Sequence, residues 1–155
     1  MTTSQPLMDA LYSQHSAEAA AVQAYDRALQ KFRGQPEQAA LERLRADHEE
    51  AVGRLGALIR RHGGVEPEAT RDWRSALTGV LEGVASLVSD EAPLRVLHRI
   101  EVAGAEGYAR LLADPLLAPD VVAELQVLLE RNQDHTGVLE EAIAEVPETP
   151  NRPMI

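Results

Sequence analysis

The chain has 155 residues, 45% of them hydrophobic and 26% charged, with 15 basic against 25 acidic side chains and a net charge of −10. That length suffices for one domain with its own core, and the acidity leaves no basic stripe for nucleic acid. The absence of cysteine excludes disulfides and thiolate ligands, so any metal ion would be held by N and O donors alone.

One Trp, three Tyr and one Phe are too few aromatic residues for a sheet-rich fold and favour helices. The first helix is expected over residues 5–33, with Pro6 tolerated in its first turn and Gly34 beyond its end. On it Leu11, His15, Glu18, Val22, Tyr25, Leu29 and Phe32 step by four and three, the interval that keeps side chains on one face. A short break from Gly34 to Pro36 implies an antiparallel neighbour. The second helix is expected over 37–62, with a stripe through Leu41, Leu44, His48, Val52, Leu55 and Ile59, and a stop at Gly63-Gly64. Beyond Pro67, residues 70–88 place Trp73, Leu77, Val80, Leu81, Val84 and Leu87 at helical spacing and read as a crossover helix. The third main helix is expected over 91–113, its stripe running through Leu94, His98, Glu101, Ala105, Tyr108 and Leu112. The fourth is expected over 119–145, with Val121, Leu125, Leu128, Asn132, His135 and Leu139. The tail 146–155 holds Pro147, Pro150 and Pro153 and is expected to be extended or mobile. With no apolar run near the roughly 18 residues of a membrane span and no basic-plus-apolar leader, a cytoplasmic protein without a membrane partner is expected.

The fold class is therefore all-α: two helix hairpins joined by a long connection, in one bundle over residues 1–145. The hairpins look like a duplication. His15, Glu18 and Tyr25 recur with the same spacing as His98, Glu101 and Tyr108, and Asp47-His48 matches Asp134-His135. A hairpin places two residues level when they are equally far from its turn. That condition pairs Glu18 with His48 and Glu101 with His135, and His15 and His98 lie one helical turn, about 5 Å, away. Six side chains, Glu18, His48, Glu101, His135, His15 and His98, thus become candidate metal ligands at one depth of the core. Burying them unpaired would be costly.

At these residues the chain resembles the ferritin-like superfamily, its rubrerythrin-type bundles and a bacterial four-helix family of unknown function within it. The resemblance covers about residues 7–145. It implies a ferritin-like four-helix bundle with an additional helix in the crossover, Glu with a Tyr two turns on in the first and third helices, and Glu-x-x-His in the second and fourth. It also implies a metal ion as the partner, with iron or manganese as cofactor and an iron-related or oxidative-stress role; no organic cofactor is expected. The chain departs from the pattern at two positions: Arg45 and Asn132 stand where the family has Glu. Half of the bridging carboxylates are therefore replaced, and the added histidines shift the donor set toward one that also suits zinc. Tyr25, Tyr108, Arg45 and Asn132 are expected around the ligands. A rival reading is metal-free, a structural or protein-interaction bundle in which Arg45 and Asn132 replace metal ligands and the Arg45 guanidinium pairs with the buried carboxylates. A third reading is an assembly module acting through its tail or an exposed Leu-rich face, which predicts a homodimer. Whether the chain is an enzyme is left open by these patterns.

Overall fold

Ser4 begins the first helix. Its side chain accepts the Leu7 N–H at 3.3 Å, satisfying one of the free donors of the first turn, and Pro6 lacks only an N–H that would have had no partner there. α1 spans Gln5–Lys31, and the chain turns at Gly34, whose φ of +76° favours glycine. The Gly34 N–H donates to the Gln38 side chain at 2.8 Å as α2, Gln38–Arg61, begins. That helix closes on Gly63 at φ +91°, with the Gly64 N–H on the Ile59 carbonyl at 2.9 Å. α3, Pro93–Leu112, and α4, Pro119–Glu145, each open on a proline. The computed structural model describes residues 4–67 and 93–145, and their regular structure is entirely α-helical. The expected crossover helix at 70–88, Trp73 included, and the Pro-rich tail at 146–155 lie outside the described residues.

The four helices close a ring in which α1 packs on α2 and α3, and α4 packs on α2 and α3. Pairings across each interface fix the directions. Glu18 meets His48 while Asp26 meets Arg45, so α1 and α2 are antiparallel. Glu101 meets His135 and His98 meets Glu140, which makes α3 and α4 antiparallel. Tyr25 meets Glu101 and Tyr108 meets Glu18, so α1 and α3 are antiparallel too. α2 ends beside the start of α4, where Arg61 pairs with Asp120, whereas α3 starts beside the other end of α4. The segment from α2 to α3 therefore has the bundle's length to cover, about 40 Å for the 27 residues of α4. No helix among the described residues is long and apolar enough to cross a membrane.

Two apolar clusters fill the interior. One, toward the α1–α2 turn, contains Ala24, Tyr25, Leu41, Leu44, Leu97 and Leu139. The other, toward the far end, contains Leu11, Leu55, Leu58, Tyr108, Leu125 and Leu128. Between them lies a polar layer of Glu18, His48, Glu101, Asn132 and His135, none more than 4% exposed. A layer of this kind is tolerated only when its groups satisfy one another.

Candidate metal centre

Glu101 on α3 is the hub of the polar layer. Its Oε1 accepts the Tyr25 hydroxyl at 2.6 Å and faces His48 Nε2 at 2.5 Å and His135 Nδ1 at 3.2 Å. Its Oε2 accepts from Asn132 Nδ2 at 3.0 Å. The far nitrogen of each imidazole meets a second carboxylate. His48 Nδ1 lies 2.5 Å from Glu18 Oε2, and His135 Nε2 lies 2.9 Å from Asp47 Oδ2. Acids and imidazoles thus alternate in one row, Glu18–His48–Glu101–His135–Asp47, drawn from all four helices. The two rings lie edge to face with centroids 5.0 Å apart.

The tyrosines close the layer by crossing between the repeats. Tyr25 follows Glu18 on α1 yet donates to Glu101, and Tyr108 follows Glu101 on α3 yet donates to Glu18 at 2.6 Å. Seven residues are two helical turns, so each tyrosine is carried along its own helix to the level of the opposite carboxylate. Gly104 on α3 makes room for Asn132, because a Cβ there would lie 2.5 Å from Asn132 Nδ2.

The electrostatics follow from burial and pairing. Burial works against the His48 imidazolium, but the charges of Glu18 and Glu101 and their hydrogen bonds outweigh it and raise the group from 6.5 to about 10. Burial likewise works against ionised Glu101, yet the His48 charge, with hydrogen bonds from His135 and His48, lowers it from 4.5 to about 2. Burial and the neighbouring carboxylates, Glu101 for Tyr25 and Glu18 for Tyr108, push both phenols well above 10, so both remain donors.

Of the six ligands expected from sequence, three converge. Donor atoms of His48, Glu101 and His135 lie within 4.8 Å of one another and could hold one metal ion. Glu18 stands on the far side of the His48 ring and reaches this group through it. His15 is buried, 2% exposed, but its Nε2 has no hydrogen-bond partner among the described residues and faces Glu66 at 3.8 Å. Burial lowers its pKa against the opposing pull of Glu66. His98 is a correction: it turns outward to Glu140, 3.2 Å away, instead of into the layer. Arg45 is another. Its guanidinium leaves the core and pairs with Asp26 and, at 3.1 Å, with Glu49, both half-exposed, so it does not fill the space between the buried carboxylates. Asp47, behind His135, was not among the expected site residues, although the repeated Asp-His doublet was its signal. Nor was Gln14, which α1 presents 9% exposed toward α3.

No family model, curated protein or solved structure compared with this chain matches it.

Proposed function

We propose that the bundle binds one divalent metal ion through His48 Nε2, His135 Nδ1 and a Glu101 carboxylate oxygen. The observation that carries this reading is the partner of each remaining ring nitrogen. Metal-ligating histidines characteristically give their other N–H to a carboxylate, which fixes the tautomer and the ring orientation. Here Glu18 takes that role for His48 and Asp47 for His135, leaving two imidazole nitrogens aimed at one carboxylate. The crowding at Glu101 Oε1 points the same way. Three donors face a single oxygen, and a cation in place of two ring protons relieves the excess. The donor set fits the group: two imidazoles and one carboxylate suit iron or zinc with coordination positions left over. Such an ion supplies Lewis acidity and, as iron, one-electron chemistry. With Asn132 donating to Glu101 and Arg45 directed outward, the carboxylates for a bridged pair of ions are lacking, and one ion is the better fit.

The antiparallel ring, with α2 ending and α3 beginning at opposite ends of the bundle, is compatible with the connectivity of ferritin-like bundles, and we propose that class for the fold. A second reading, a metal-free polar core, is favoured by one observation: His48 already places both ring nitrogens 2.5 Å from carboxylates, so its own positive charge serves as the cation. Elemental analysis of protein purified without chelator, followed by anaerobic titration with Fe²⁺ and with Zn²⁺, separates the two. The metal reading expects one ion per chain, lost in Glu101→Ala and His135→Ala and kept in His98→Ala. Wild-type protein that takes up neither ion leaves the metal-free core.

A further inference from the structure

We propose that the cleft between α1 and α3 is the route by which small ligands reach the polar layer, and that the Gln14 side chain is its gate. As an access route to a metal ion, the proposal rests on the reading above. Two cavities carry it. An inner chamber of about 60 Å³ is floored by Glu18, His48 and Asn132. An outer one of about 300 Å³ is lined by Ala10, Ser13, Gly107, Arg110 and Leu111. Ser13, Gln14 and Arg110 line both, so the chambers meet at Gln14.

Small residues on both helices hold the cleft open: Ala17 and Ala21 on α1 face Ala103 and Gly104 on α3. Gln14 is laid across it between the two chambers, beside the exposed Arg110. Its amide sits in the space that a Cβ on Gly107 would take, and it is held by a long hydrogen bond of 3.5 Å to the Gly104 carbonyl and by a second to the Tyr108 hydroxyl. A side chain seated by packing, one long hydrogen bond and one to a hydroxyl can swing aside at modest cost. The size of the inner chamber sets the ligand class. It is well below the roughly 150 Å³ of a cavity that takes up benzene, so the space suits a small molecule of a few heavy atoms better than a ring. A separate depression of about 170 Å³ between α2 and α4 also reaches the layer, but it ends on Asp47 and His135, whose mutual hydrogen bond closes its floor.

The test uses the full chain loaded with Co²⁺, its metal content measured first, and azide and imidazole as the probes. Azide should perturb the visible spectrum of the ion and imidazole should not. Gln14→Ala should speed azide association about fivefold, the factor expected for releasing one modest hydrogen bond that holds the closed state. Gly107→Ala, whose added Cβ meets the Gln14 amide first, should act in the same direction, and Arg131→Ala, on the rim of the other depression, should not. Equal azide rates in all four proteins, or acceleration by Arg131→Ala alone, overturn the proposal. Metal-free protein supplies an independent arm, in which dissolved dioxygen relaxes methyl resonances by NMR. Ala21 lines the chamber, whereas Ala20 and Ala28 are as deeply buried elsewhere. Enhancement at Ala21 above the other two, raised further by Gln14→Ala, supports the gate even if no Co²⁺ binds, in which case only the metal reading falls. Equal enhancement at all three alanines overturns the gate.

Discussion

Neutralising Glu101 by Glu101→Gln tests the network at its hub. The side chain is wholly buried and collects Tyr25, His48, His135 and Asn132 around its two oxygens. Glutamine keeps the shape but replaces one acceptor oxygen by an NH₂ group, so at least one donor loses its partner and the His48 imidazolium keeps a single counter-charge, Glu18. Breaking a buried ion pair from one side costs about 3–5 kcal/mol, a large part of the about 5–15 kcal/mol that hold a domain together. At about 2–4 °C per kcal/mol for a chain of this size, the melting midpoint should fall by about 10 °C. Glu18→Gln should cost less, because that carboxylate serves only Tyr108 and His48 among the contacts described. The assay is urea unfolding followed by circular dichroism at pH 7, on protein freed of metal by a chelator. A loss below about 1 kcal/mol, the size of a surface pair, would refute the hub, as would a larger loss from Glu18→Gln.

The pH dependence of the metal-free protein follows from the same two groups. His48 is raised from 6.5 to about 10, so its contribution is complete below 6.5 and lost as pH rises through 10. Glu101 is lowered from 4.5 to about 2, so its contribution is complete above 4.5 and lost as pH falls through 2. Urea midpoints should therefore peak between pH 4.5 and 6.5, and a flat profile from 6.5 to 10 contradicts the charged His48. Tyr25→Phe and Tyr108→Phe should each cost about 1.5–3 kcal/mol, the worth of a hydrogen bond to a charged group, and unfolding curves showing no loss in either would remove the crossed pairs. Arg45→Ala should change stability by less than about 1 kcal/mol, since its partners are surface carboxylates; a loss of buried-pair size would put the guanidinium back in the core.

The helical stripes and their punctuation were legible in the sequence because they are local. A period of 3.6 residues fixes which side chains share a face, and Gly34 and Gly63 mark where the chain leaves the helix whatever surrounds it. The depth of Glu18, His48, Glu101 and His135 was legible for the same reason, since distance from a short turn sets height along a hairpin. Direction around the helix was not. Arg45 and Asn132 hold equivalent places, each about 60° around the axis from the histidine that follows it, yet Asn132 nests against Gly104 on Glu101 while Arg45 leaves for Asp26. His98 repeats His15 in sequence but meets Glu140 at the surface, whereas His15 stays buried. The crossing of the two tyrosines, the place of Asp47 behind His135 and the cleft beneath Gln14 likewise depend on the helix across the interface. Only the assembled ring supplies that neighbour, and the neighbour decides whether a polar group at the edge of a stripe is satisfied inside the core or in water.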